Sequence, residues 1–364
     1  MSRVKSWVVL ALLCVFSSVL VWANVGMAKI YENFDGPYYA IVAKSFYDKQ
    51  TISKNFEFPQ PLEYYPAHFP LYPLVSQTLS DLTGLNILRT MLIINIGMAI
   101  IGSILIFESF TDLKWPQPFF SAVTWLFLWP RMWGVRSIAS PESLFISLVI
   151  ASLWMFEKKK YFISSLLGCL AILTKSPGVL LFVAYGLWFI LEYLKTKKLN
   201  FKIWPIIFMP ITLILLFGFY YLRVGDFWAY FHSGDNIHLQ LLPFKVFDST
   251  QPWVGTFWLE DIIWIYLLGG LGVYYAFKKS HVWGLFGSVF FTTILFVSHR
   301  DISRYALPIV PVVLLGFAHL FERKEIKIAL AILIVPLFFY TVNFLKFNTI
   351  SISNWAPFLT SSSR

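Results

Sequence analysis

Ionisable side chains are scarce in this sequence, and those that could do chemistry fall into four short segments. The first reads Glu32-Asn33-Phe34-Asp35-Gly36-Pro37-Tyr38, where Gly36 and Pro37 turn the chain and expose the Asp35 carboxylate. Such a carboxylate can take a proton from an acceptor hydroxyl as a general base; Asp is equally a common helix cap. The second, Tyr64-Tyr65-Pro66-Ala67-His68-Phe69-Pro70-Leu71-Tyr72-Pro73, holds too many prolines for a regular helix before Pro73. It reads as a rigid aromatic turn that either stacks on a sugar ring or anchors at an interface. His68 and Tyr72 here, with Tyr38 of the first segment, are candidate binding groups, with a structural role for His68 as the alternative. The third, Ser140-Pro141-Glu142-Ser143, is an ordinary helix start. That leaves unexplained why Glu142, a fourth candidate binding group, stands close to Arg131 and Arg136. The fourth reads Ser298-His299-Arg300-Asp301-Ile302-Ser303-Arg304-Tyr305, and a helix here would put Arg300 and Arg304 on one face. Their guanidinium groups suit either bidentate phosphate binding or lipid headgroup contact. Lys175 is a further isolated cation.

Phosphate-cradling, dinucleotide and metal motifs are missing: there is no P-loop, GxGxxG, HExxH or CxxC pair. Cys14 and Cys169 both lie in apolar runs, so neither a disulfide nor a metal cluster is expected. No cofactor is called for, and no residue is assigned as a metal ligand, although a divalent ion remains compatible with the chain.

The elements that must position these groups are apolar. The 364 residues are 58% hydrophobic, 19% aromatic and 13% charged, with a mean hydropathy of +0.68. A soluble chain carries about twice that share of charge. The expectation is an all-α integral membrane protein of about 11 spans (10–12), near 6–25, 86–107, 117–130, 142–156, 161–174, 177–194, 203–222, 259–277, 282–297, 305–321 and 327–345. Pro177 and Gly178 imply either a tight surface turn or a helix that dips and returns. The first run is too long for a signal peptide and lacks a clean cleavage site, so it reads as a retained helix. The net charge of +10 sits in short Lys-rich loops, which points to membrane topology and away from nucleic acid. With Arg3 and Lys5 inside, the Lys-rich segments at 157–160, 195–202, 278–279 and 322–327 all fall inside. A first external loop, 26–85, then carries Asp35 and interfacial helices over 35–48 and 71–83, and 223–258 forms a second large external loop. Residues 131–141 and 298–304 are external as well, and the span midplanes are nearly free of ionisable groups. No repeat divides the chain, which reads as one polytopic domain, 1–364, ending in a Ser-rich tail at 361–363.

In order, Phe34-Asp35-Gly36, His68-Phe69-Pro70-Leu71-Tyr72-Pro73, Pro141-Glu142-Ser143-Leu144-Phe145, Leu173-Thr174-Lys175-Ser176-Pro177-Gly178 and Ser303-Arg304-Tyr305-Ala306-Leu307-Pro308 resemble motifs of the GT-C membrane glycosyltransferases. The PIG-V branch, which includes the second mannosyltransferase of GPI assembly, is the nearest likeness. The resemblance implies a polyprenyl-phosphate sugar donor, transfer with inversion, Asp35 as base and Arg304 on the donor phosphate, with Arg300 and Lys175 beside it. The acceptor would be a glycolipid, glycan or protein hydroxyl, and the donor would enter from the membrane lipids. The chain departs from the family pattern in three ways: Gly36 follows Asp35 where many members carry a second acid, Lys175 replaces the more usual Arg, and no large C-terminal soluble domain is present. Its short loops favour a prokaryotic cell membrane, or the endoplasmic reticulum if the source is eukaryotic. A lipid transporter or flippase, an oligosaccharide ligase or polymerase, and a structural subunit are the rival readings; the near-absence of midplane polar groups weighs against transport.

Overall fold

The computed structural model describes residues 2–57, 60–234, 238–254 and 259–360. The Ser-rich tail at 361–363 and parts of the 223–258 loop lie outside them. The described chain is helical, with two isolated β-bridges, Asn33 with Thr349 and Leu239 with Val297. Among the described residues, six helices are long and apolar enough to cross a membrane: Arg3–Val25, Ile87–Asp112, Ser176–Thr196, Phe201–Val224, Ile302–Glu322 and Lys324–Phe347. Shorter apolar helices, Pro118–Phe127, Tyr161–Thr174 and His281–Leu295, pack among them. The protein is an integral membrane protein.

Local chemistry sets the ends of these helices. Ser2 accepts from the Lys5 amide and Asn86 from the Arg89 amide, the latter at 3.0 Å, each satisfying a donor that a helix start leaves open. Tight crossings use glycine. A Cβ on Gly316 would lie 2.1 Å from the Gly272 carbonyl oxygen, so Glu260–Lys279 and the helix bearing Gly316 meet backbone to backbone. Gly178 has the same function at the break after Lys175, where a Cβ would run into the backbone of Ala171 and Ile172. That break is one 3-10 turn, Ser176–Gly178, entered by Lys175 in extended conformation.

The 26–85 region folds into short helices, among them Gly36–Ser45 and Leu71–Thr83. Its aromatic turn corrects the expectation of no regular helix before Pro73, while the helix expected over 71–83 is present as Leu71–Thr83. A 3-10 turn covers Leu62–Ala67, and the next helix already begins at Leu71, with Pro73 inside its first turn, where a missing N–H costs nothing. The segment beyond the last long helix binds back onto this region. The Phe34 amide donates to the Asn348 carbonyl (3.1 Å) and the Ile350 amide to the Glu32 carbonyl (2.8 Å), which fixes the backbone just before Asp35.

The helix ends sort into two groups. At one end, Arg3 pairs with Glu108, Lys158 with Asp112, and the Ser280 hydroxyl donates to Glu157. At the other end gather Asp35, Glu142, Lys175, Arg131, Asp301 and Arg304. Helix Glu142–Glu157, at 16 residues, separates the two groups by about 24 Å.

A second correction concerns Arg136, which the sequence places in an external loop. It closes the short helix Pro130–Arg136 and is fully buried against the middle of the first helix. It donates to the Ser18 hydroxyl (2.7 Å), the Ser17 hydroxyl (2.9 Å) and the Cys14 carbonyl (3.1 Å). A cation therefore does occupy the interior of the bundle, held by hydroxyls and carbonyls.

Candidate active site

Asp35 stands at the N-cap position of Gly36–Ser45, yet its side chain caps nothing. Its backbone is already helical (φ −91°, ψ −13°), so the carboxylate points away from the amides and ion-pairs with the Arg304 guanidinium. Arg304 lies in the turn Ile302–Tyr305. Its Nε is 3.2 Å from Asp301 and 4.0 Å from Glu142, so three carboxylates converge on one arginine. Glu142, at the first position of its helix, is buried and holds the Lys175 ammonium at 2.8 Å. The Ser140 hydroxyl donates to the other Glu142 oxygen. Helix capping alone therefore does not account for Asp35 or Glu142; both belong to an ion cluster.

Two members of this cluster escaped the sequence reading as site residues, Asp301 and Arg131. Arg131 Nη2 lies 2.8 Å from Asp301, its Nε donates to the Ser303 hydroxyl at 3.1 Å, and its guanidinium lies 3.7 Å from the Phe344 ring centre. The sequence suggested Arg131 and Arg136 as neighbours of Glu142. Instead, Arg131 serves Asp301 and Arg136 turns into the bundle, while Lys175 and Arg304 face one Glu142 oxygen and the Ser140 hydroxyl takes the other. The i to i+3 spacing of Asp301 and Arg304 was the available signal. Burial raises the Asp301 carboxyl above its usual range, opposed by Arg304 and Arg131.

Arg300 is exposed and lies before the helical turn, so it does not share a helix face with Arg304. Arg304, Lys175, Asp35 and Glu142 are brought together.

Beside the ion cluster is an aromatic cage. The buried His68 ring lies 4.7 Å from Tyr39, 5.2 Å from Tyr64 and 5.6 Å from Tyr38, centre to centre. Its Nδ1 is buried without a hydrogen-bond partner. Burial pulls the imidazole down to about 4, so it is neutral at pH 7. Tyr72 lies behind this cage, its hydroxyl accepting from the Ser140 amide at 3.1 Å and its ring 5.4 Å from Tyr39. Tyr72 therefore supports the Ser140–Glu142 turn from within the core.

On the other flank lies an apolar cavity of about 290 Å³, lined by Phe69, Ser176, Leu180, Phe217, His238 and Tyr305 among others. Ser176 follows Lys175 and Tyr305 follows Arg304, so the cavity begins where the two cations stand. A carboxylate, two cations and an apolar chamber thus share one end of the helix bundle. Among the described residues, no group of three His, Cys, Asp or Glu side chains has metal-holding geometry.

No protein-family model matches the sequence, and no curated protein matches it. The fold has a solved counterpart: the crystal structure of ArnT from Cupriavidus metallidurans, bound to undecaprenyl phosphate, superposes with a TM-score of 0.54 over 86% of this chain at 16% identity. The chain shares the fold of ArnT. It spans 60% of that protein's length. The GT-C resemblance carried by the five motifs is thereby matched at the level of fold, whereas the likeness to the PIG-V branch is not distinguished by it.

Proposed function

We propose that this protein is a GT-C glycosyltransferase that moves a single sugar, mannose in the PIG-V reading, from a polyprenyl-phosphate donor to an acceptor hydroxyl, with inversion. The observation that carries the reading is the Asp35–Arg304 ion pair, with Lys175 nearby on Glu142, beside an apolar cavity lined by the neighbouring residues Ser176 and Tyr305. ArnT, which has the same fold, is bound to undecaprenyl phosphate.

In this reading the lipid tail lies in the apolar chamber and the phosphate meets Arg304 and Lys175. The acceptor oxygen attacks the anomeric carbon, its proton passes to Asp35, and the carbon–oxygen bond to phosphate breaks on the opposite face of the sugar. The departing phosphate takes the electron pair and needs positive charge rather than a proton, which the two cations supply in a poorly hydrated site. Tyr38 and His68 border the sugar or acceptor, Tyr72 and Glu142 hold the surrounding turn, and Arg300 guides the phosphate from outside. Arg304, Lys175 and Arg131 balance Asp35, Glu142 and Asp301, three charges against three. An arriving phosphate therefore competes with Asp35 for Arg304, so donor binding frees the base and should precede acceptor binding. The topology that fits has eleven spans, the N-terminus cytoplasmic and this face external, in a prokaryotic cell membrane.

The test is transfer of label from a radiolabelled short-chain polyprenyl-phosphate mannose into membrane lipid extract by the purified protein, with glucose and aminoarabinose donors in parallel. Asp35→Asn should slow transfer by at least about a hundredfold. Equal transfer by both proteins removes Asp35 from the chemistry; no transfer from any donor favours a lipid transporter.

A further inference from the structure

At the opposite end of helix Glu142–Glu157, about 24 Å from the ion cluster, lies a second cavity that the proposed reaction does not use. It measures about 470 Å³ and is lined by Lys159, Lys160, Phe162, Lys202, Trp204 and Pro205, among others. Lys159 and Lys160 belong to the turn between two helices, where Lys159 adopts a left-handed backbone (φ 58°). Lys202 and Trp204 come from the separate 3-10 segment Phe201–Ile207, which packs on helix Tyr161–Thr174. The fold thus brings together cations 42 residues apart in the sequence.

None of the three ammonium groups pairs with a carboxylate among the described residues. The nearest acid in sequence, Glu157, accepts from the Ser280 hydroxyl, and it and Glu192 act on the cavity only through space, at Tyr161. Three cations around one cavity, none in an ion pair, repel one another, by an amount that an anion placed among them would reverse. The flank of the cavity is apolar and exposed: Phe162 is 53% exposed and Trp204 59%, with the Trp204 ring edge-on to Phe208 at 5.3 Å. A free inorganic anion would use the lysines and gain nothing from this aromatic flank. A phospholipid uses both, its phosphate on the ammonium groups and its acyl chains against Phe162 and Trp204.

We infer that this cavity is a binding site for the headgroup of an anionic phospholipid in the leaflet at the Lys-rich end, distinct from the donor lipid at the other face. Occupancy would clamp the Lys159–Lys160 turn to the Phe201–Ile207 segment.

The test uses the full chain in detergent and native mass spectrometry with added phosphatidylglycerol or phosphatidylcholine. The wild type should retain one phosphatidylglycerol in preference to phosphatidylcholine. The combined Lys159→Gln, Lys160→Gln and Lys202→Gln variant should weaken that retention at least about tenfold. A variant carrying Lys195→Gln, Lys197→Gln and Lys198→Gln removes the same charge from the same end and should retain the lipid. Equal loss in both variants would mean diffuse attraction to the membrane and overturn the site, as would the absence of any preference between the lipids. Displacement of the lipid by millimolar inorganic phosphate would reassign the cavity to a soluble anion. Lys202→Gln alone, from the second element, should show an intermediate loss if the triple variant does not fold.

Discussion

Removing Arg304 should unbalance the cluster in a way that a second substitution partly repairs. In Arg304→Met, Asp35, Asp301 and Glu142 remain while only Lys175 and Arg131 oppose them, so a neutral group acquires one net negative charge. The side chains concerned are 16% exposed for Arg304, 18% for Asp35, 17% for Asp301 and 3% for Glu142, so water screens them little. At an effective dielectric constant of about 20, attraction across the 3.2 Å to Asp301 and the 4.0 Å to Glu142 is about 5 and 4 kcal/mol before desolvation is set against it. Truncating one partner of such a buried pair typically costs about 3–5 kcal/mol, and that is the expected loss. Asp301→Asn leaves Arg304 its other two acids but deprives Arg131 of its carboxylate, for a loss of about 2 kcal/mol. In the double variant the charge balance returns, so its loss should fall short of the sum by about 2 kcal/mol. Unfolding titrations with dodecyl sulfate in mixed micelles would measure all four corners of this cycle. A coupling below about 0.5 kcal/mol would refute the placement of Asp301 on Arg304, and with it the charge count behind donor-first binding. Transfer activity should stay lost in the double variant, because the proposed phosphate contact is gone whether or not the fold recovers.

Two further outcomes test other parts of the molecule. His68 is held at about 4 against about 6.5 when unfolded, so the unfolded chain binds more protons between those values and stability is lost as pH falls through that window. The loss should approach about 3 kcal/mol by pH 4 in thermal or detergent unfolding and shrink by that amount in His68→Phe; an unchanged pH profile would place the ring in water. Gly316→Ala drives a methyl group into the Gly272 carbonyl, and since backbone cannot step aside it should cost about 3 kcal/mol or more, where Gly97→Ala, with open space, should be nearly silent.

What could be read from the sequence follows from how locally each feature is encoded. Apolar length and Lys-rich loops are properties of contiguous segments, so the membrane-embedded helical character was legible, as was the likeness in fold. The cluster was half legible. Asp35, Glu142, Lys175 and Arg304 each stand in a turn that the sequence punctuates with Gly or Pro, which identifies an exposed helix end but not its partner. The partners lie 33 residues apart for Glu142 and Lys175 and 269 apart for Asp35 and Arg304, and no local rule reaches that far. Arg131 and Arg136 show the same limit from the other side: five positions apart in one short segment, they go to an ion cluster and to the core of the bundle respectively.

That divergence also explains how the site is held. The segment from Pro130 to Glu142 crosses from the first helix to the ion cluster, and it is tied at several points. Arg136 donates to Ser17 and Ser18, the Trp22 indole donates to the Ser137 carbonyl at 2.7 Å, and the Asn95 amide reaches the Ile138 carbonyl. Hydrogen bonds of this kind have no competing water inside the bundle, so each fixes the backbone more firmly than it would at a soluble surface. Glu142, which must orient Lys175 and Arg304 together, hangs from the end of that segment. On the opposite side, Glu32–Phe34 is held by residues 348–350. A site whose proposed chemistry depends on carboxylates and cations within 4 Å of one another therefore rests on the rigid helices through two tethered loops. The mobile step it requires is the exchange of Asp35 for phosphate on Arg304, a change of side-chain partner that leaves both tethers in place.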